Sequence, residues 1–224
     1  MKLDARQKLF AVLVALFVTS LLVGDLIGGK LYDIGVTIGG LPLGISVGMI
    51  PFPIVFLLTD LINEFYGKKA ARFVTLVGFG MAWFTIVVLQ LAVMVPWPAS
   101  PFHTSFDMIF ASSQKILFAS TVAYLTAQFI DIAIFHFVKR KLGDRMLWLR
   151  ATGSTVVSQL IDTVVIGFIV WWSSKSIAAI VGIILTSYAT KVVVAIAATP
   201  LIYAGHALVE RGLGIVPVPP DQLE

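Results

Sequence analysis

The sequence predicts an all-α membrane protein: six transmembrane helices with both termini cytoplasmic, and a broken or re-entrant element around residues 34–53. Three observations predict it. Hydrophobic residues fill 58% of the 224 positions and charged ones only 12%, against about 25% charge in an ordinary soluble domain. Apolar runs recur at roughly the 20 residues needed to cross hydrocarbon. Lys and Arg are shared unequally between the two sets of loops. This composition excludes a soluble enzyme, a disordered chain and a small secreted scaffold. With no cysteine, a disulfide framework and a cysteine zinc site are excluded too. The net charge of +4 reads as membrane topology rather than nucleic-acid binding.

The spans fall near residues 9–29, 50–67, 73–95, 116–138, 152–174 and 180–208. The first follows a basic leader, Met1–Lys8. Its apolar stretch runs past Gly24 without a small-x-small cleavage site, so it is read as a retained helix rather than a signal peptide. Orientation follows from the basic residues. Lys2, Arg6, Lys8, Lys68, Lys69, Arg72, Lys139, Arg140, Lys141, Arg145, Arg150 and Arg211 fall on one side. Lys30, Lys115 and Lys175 fall on the other, and Lys191 lies inside span six. Positive residues stay inside, which puts both termini in the cytoplasm. The loop Pro96–Gln114, with three prolines and Trp97, reads as an interfacial connection.

Between Ile34 and Thr59 there is no charge, but glycines 35, 39, 40, 44 and 48 and prolines 42, 51 and 53 interrupt the run. If helical, the Gly40/Gly44/Gly48 spacing would place three glycines on one face. Two readings stand: a discontinuous element lining a wet site, or an exposed loop before a kinked helix.

Six ionisable residues lie within the spans: Asp25, Asp60, Glu64, Asp131, Asp162 and Lys191. Each charge at the bilayer centre costs at least about 2.5 kcal/mol, so each asks for a partner or a function. Phe52, Phe56, Asp60 and Glu64 recur at four-residue intervals with Asn63 adjoining, so they share one helix face. Glu64 is one turn from Lys68 and in reach of it. Asp60 has no local cation and sits about 12 Å from the basic edge. Tyr124, Gln128 and Asp131 share a face of span four, with Asp131 at the same depth. Span five carries Thr155, Ser158, Gln159 and Asp162. Lys191 either neutralises an acid, contacts substrate or snorkels outward. The candidate substrate-binding set is therefore Phe52, Phe56, Asp60, Asn63, Glu64, Tyr124, Gln128, Asp131, Gln159, Asp162 and Lys191. The competing role for these polar groups is interhelical hydrogen bonding. His103, His136 and His206 are too scattered for a metal cluster, with His136 read as interfacial. No Walker A loop, GxSxG elbow or HExxH helix occurs, so neither enzyme nor cofactor is expected.

Two motifs then carry a resemblance. Pro51-Phe-Pro-Ile-Val-Phe-Leu-Leu-Thr-Asp60-Leu-Ile-Asn-Glu64, continuing to Arg72, resembles the second-span motif of the queuosine precursor transporters, the bacterial branch of the vitamin uptake transporters. Trp148-Leu-Arg150 followed by Gly153 to Thr163 is similar to that family's second motif, as are Gln128-Phe-Ile-Asp131 and Lys191 with Thr199-Pro200-Leu201. The chain departs from the pattern at Asp25, where the family more often has Asn, and at Gln114-Lys115. The resemblance implies an inner-membrane importer of 7-deazaguanines: 7-cyano-7-deazaguanine, its aminomethyl counterpart, or queuine. Residues 1–211 would form the transporter domain and 212–224 a disordered cytoplasmic tail. The implied partners are the small-molecule substrate and the lipid bilayer; a homodimer stays open. A secondary transporter is the leading expectation, and the substrate-binding subunit of an ATP-driven vitamin importer the alternative.

Overall fold

The computed structural model describes residues 3–28, 30–38, 41–98, 100–112, 114–143, 146–173 and 176–219. Its elements run α1 (Ala5–Ile27), β1 (Leu31–Ile38), β2 (Leu41–Ser46), a 3-10 turn (Val47–Met49), α2 (Phe52–Met94), α3 (Pro101–Ser112), α4 (Gln114–Leu142), α5 (Leu147–Trp171) and α6 (Ile177–Ala207). Five helical stretches are long and apolar enough to cross a membrane. One of them, α2, has 43 residues, about twice what a bilayer requires.

Gly67 resolves the excess. Its φ of 80° and ψ of −179° break α2, a conformation open to glycine and closed to most other residues. Side-chain neighbours show that the chain reverses there. Arg6, at the start of α1, bonds the Phe65 carbonyl, and Gly24, near its end, packs beside Pro51. So α1 runs antiparallel to residues 52–66. Phe17 and Leu21 of α1 meet Gly78, and Asp25 and Leu26 meet Thr85 and Ile86, so α1 runs parallel to residues 68–94. The two arms of α2 therefore run in opposite directions, within one of the five stretches apolar enough to cross a membrane. Leu13 and Phe17 of α1, Leu58, Ile62 and Phe65 of the first arm, Val74 of the second and Ile132 of α4 make one apolar cluster between them.

The broken segment differs from the glycine-faced helix considered above. It is an antiparallel hairpin in which Leu31 pairs with Ser46 and Ile38 with Leu41. Alternating β-branched and aromatic residues suit a strand, and a register irregularity between Asp33 and Thr37 contains Gly35 at φ 71°. Gly39 and Gly40 lie outside the described residues, as do Lys2, Arg145 and Lys175. Within the Pro96–Gln114 connection Pro101 opens the short helix α3; proline at a helix start forfeits no hydrogen bond.

The segments around Arg6 and Val218 reach the same end of the bundle. The tyrosine hydroxyl of Tyr66 donates to the Arg6 carbonyl at 2.7 Å, and the Val218 N–H donates to the Glu64 carbonyl at 2.9 Å. The segment 213–219, read above as part of a loose tail, lies back on the bundle, with Ile215 buried in the main apolar cluster.

Candidate functional site

The first arm of α2, with α4, α5 and α6, encloses a polar column in three layers. Nearest the termini, Glu64 is the centre of an ion cluster. Arg150 donates to it from Nε at 3.0 Å and from Nη2 at 2.6 Å. Lys139 Nζ lies 3.1 Å from Oε2 and His206 Nε2 3.6 Å from Oε1. Glu64 and Arg150 are 1% exposed and Lys139 is 0% exposed. The expected reach of Glu64 to Lys68 is replaced by these three partners from other helices. Lys139 and Arg150, read from sequence as rim charges, are interior groups. So is His136, read as interfacial but 2% exposed.

One turn along the first arm comes the middle layer. Asp60 is 2% exposed, and neither of its carboxylate oxygens has a hydrogen-bond partner. Asp131 from α4 lies within electrostatic reach of it and accepts from the Ser158 hydroxyl at 3.1 Å through Oδ1 alone. Asp131 Oδ2, Gln128 Oε1, Asn63 Nδ2, His136 Nδ1 and Thr155 Oγ1 are also buried without a partner. His136 Nε2 and Asn63 Oδ1 meet at 3.1 Å. Buried polar atoms are nearly always paired, and each exception calls for a reason. Here, among the described residues, all of them come from the first arm of α2, α4 and α5.

The third layer holds Lys191. Its ammonium donates to Asp162 Oδ2 at 2.5 Å and to Gln159 Oε1 at 3.0 Å, and stands 5.5 Å from the centre of the Phe52 ring. Lys191 therefore neutralises an acid and does not snorkel. Pairing offsets part of the cost of holding both charges within the span.

Beside this column runs a cleft lined by Phe52, Phe56, Asp60 and Thr155, with Leu57, Thr152 and residues of α6 closing it. Phe52 and Phe56 stand edge to face with centroids 4.5 Å apart. The cleft has about 10 Å³ of space open to water, room for about one molecule. A ligand larger than a water molecule does not fit the cleft as it stands.

Of the expected residues, Phe52, Phe56 and Asp60 meet in the cleft, Asp131 lies within electrostatic reach of Asp60, Asn63 meets His136, and Gln128 is buried one turn before Asp131 on α4. Tyr124 lies apart: its hydroxyl donates to the Thr75 carbonyl at 3.2 Å and its ring packs against Phe17. Asp25 also lies apart, accepting from the Ser120 hydroxyl at 2.6 Å in a second cleft with Thr85 and Thr121. Sequence reasoning missed Arg150, Lys139 and Thr152, and named Thr155 on span five without including it in the candidate set. For Arg150 a signal existed, because it stands within the Trp148-Leu-Arg150 motif just ahead of the polar face of α5.

Apolar passes around a buried polar column make this a multi-pass membrane protein. Residues 46–205 match the family described as "Putative vitamin uptake transporter", and the chain belongs to that family of transporters. It is 27% identical over 166 residues to the "Probable queuosine precursor transporter" of Bacillus subtilis strain 168, covering 73% of this chain and 72% of that relative. It is 30% identical over 128 residues to the "Queuosine precursor transporter" of Escherichia coli K12, covering 57% of this chain and 55% of the relative. A Haemophilus influenzae relative called "Probable queuosine precursor transporter" is 26% identical over 132 residues, 57% of this chain and 52% of its own. The chain thus spans about half the length of the last two. No solved structure matches it.

Proposed function

We propose that this chain is a secondary transporter that imports queuosine precursors of the 7-deazaguanine class across a bacterial inner membrane. The observation that carries the reading is the concentration of unpartnered buried oxygens at Asp60, Asp131, Gln128 and Thr155 beside the Phe52–Phe56 pair. A deazaguanine presents a ring N–H and an amino group side by side, which one carboxylate accepts together. Its carbonyl accepts from an amide N–H or a hydroxyl, and its flat face stacks on an aromatic ring. The column offers each of these groups within two helical turns.

The sidedness of the protein follows from its basic residues. Arg6, Lys69, Arg140 and Lys141 lie exposed at the end that carries both termini, and an excess of Lys and Arg marks the cytoplasmic side. The termini are accordingly cytoplasmic, and import runs from the hairpin end to the termini end. Substrate binds at mid-depth, where Asp60 and Asp131 lie, and passes on when the bundle opens at the other end.

Uptake of labelled 7-deazaguanines into liposomes containing this protein alone tests the reading. Saturable accumulation is expected. Tight binding without uptake would overturn the carrier and favour a subunit of an ATP-driven importer. A proton gradient imposed in parallel runs shows whether the buried carboxylates couple transport to protons.

A further inference from the structure

The break at Gly67 puts the last carbonyls of the first arm at a helix end, where carbonyls take donors from outside the helix. The donors come from elsewhere in the chain. Arg6 Nη2 takes the Phe65 carbonyl at 2.6 Å. The Glu64 carbonyl accepts from the Val218 N–H at 2.9 Å and from Lys139 Nζ at 3.5 Å. The Glu64 side chain meanwhile holds Arg150, Lys139 and His206. One residue thus ties the first arm to α4, α5, α6 and the C-terminal segment. That segment is turned back by Gly214 at φ 65°, anchored by buried Ile215, and brings the Val218 methyls within 3.8 Å of where a Cβ on Gly67 would stand.

Glu64 is one helical turn from Asp60, so all of these contacts lie between the cleft and the termini end. They cross between elements rather than within one, and each is polar and reversible. Gly67 beside them supplies a backbone joint about which the first arm can tilt. We propose that Glu64, with Lys139, Arg150, His206 and the strap of residues 213–219, is the gate that closes the termini end of the transport path. Glu64 is then a gate residue and not a substrate ligand. The inference rests on the carrier reading above, but its test needs no substrate.

The chain has no cysteine, so Thr155→Cys is a single reporter inside the cleft. Its reaction with a membrane-impermeant maleimide is timed in vesicles exposing the termini end. Glu64→Gln, which breaks a buried ion cluster, is expected to raise the labelling rate on the order of 100-fold. Val218→Pro removes one main-chain donor on the strap and is expected to raise it about fivefold, the worth of one hydrogen bond. Labelling from the opposite face stays unchanged. Unaltered labelling at the termini end in both variants, each monodisperse in detergent, overturns the gate. If Glu64→Gln does not survive extraction, Val218→Pro decides alone. Uptake is measured separately on the protein with Thr155 and Glu64 unchanged: an unmoved label with uptake there removes the gate only, and a moved label without uptake there removes the carrier reading only.

Discussion

Arg150 grips Glu64 with two parallel hydrogen bonds, of 3.0 and 2.6 Å, across 86 positions of sequence. The planar guanidinium fork matches the carboxylate, and lysine has no such geometry. Replacing Arg150 by Met leaves Glu64 buried with Lys139 as its remaining full cation. The expected loss is about 3 kcal/mol, the low end for a broken buried pair because Lys139 stays. Arg150→Lys is expected to lose less but not to match the wild type. Detergent-solubilised melting temperatures rank the three proteins.

The Lys191–Asp162 pair is 13% and 11% exposed at its side chains, less dry than the Glu64 cluster. Lys191→Met strands Asp162, at a cost on the order of 2 kcal/mol, below that of a fully buried pair. Adding Asp162→Asn removes the stranded charge and is expected to restore most of the melting temperature. Failure of the second change to restore it would show that Lys191 matters to stability through its packing against Phe52 rather than through its charge.

Two glycines make a contrasting pair. Gly67→Ala forces a side chain into φ 80° and is expected to cost about 1–3 kcal/mol in backbone strain. Gly80 has ordinary helical backbone and nothing within 4 Å of its would-be Cβ. Gly80→Ala is therefore expected to be neutral or stabilising by up to about 1 kcal/mol. Melting curves of the two variants, measured together, check both signs.

Phe56 lines the cleft beside Asp60. Phe56→Leu keeps apolar bulk and removes the stacking face, so affinity for a 7-deazaguanine is expected to fall about tenfold. Equilibrium binding to purified protein measures this, with the melting temperature as the control for packing.

The five long apolar helices were legible because hydropathy is a local property of the chain. So was the shared face of Phe52, Phe56 and Asp60, since helical spacing alone sets it. Arg150 and Lys139 were misplaced for a physical reason: a membrane charge is expensive, so the topology rule puts it at the edge. Their compensation by Glu64 comes from another helix and leaves no trace in local spacing. The hairpin at Leu31–Ser46 was hidden because glycines four apart fit a helix face and a strand equally. Tyr124 does share a helix with Gln128 and Asp131, but it meets Phe17 and Thr75 instead of the cleft. Only the packing of neighbouring helices decides that.

Uptake kinetics of Asp131→Asn in liposomes containing this protein alone test the central claim most directly. The amide keeps the shape and the Ser158 contact but puts a donor where one carboxylate acceptor stood. Uptake efficiency for a 7-deazaguanine is expected to fall about 10- to 100-fold, the worth of a hydrogen bond to a charged group, with the melting temperature little changed. Full uptake at unchanged affinity would contradict the assignment of Asp131 to the substrate.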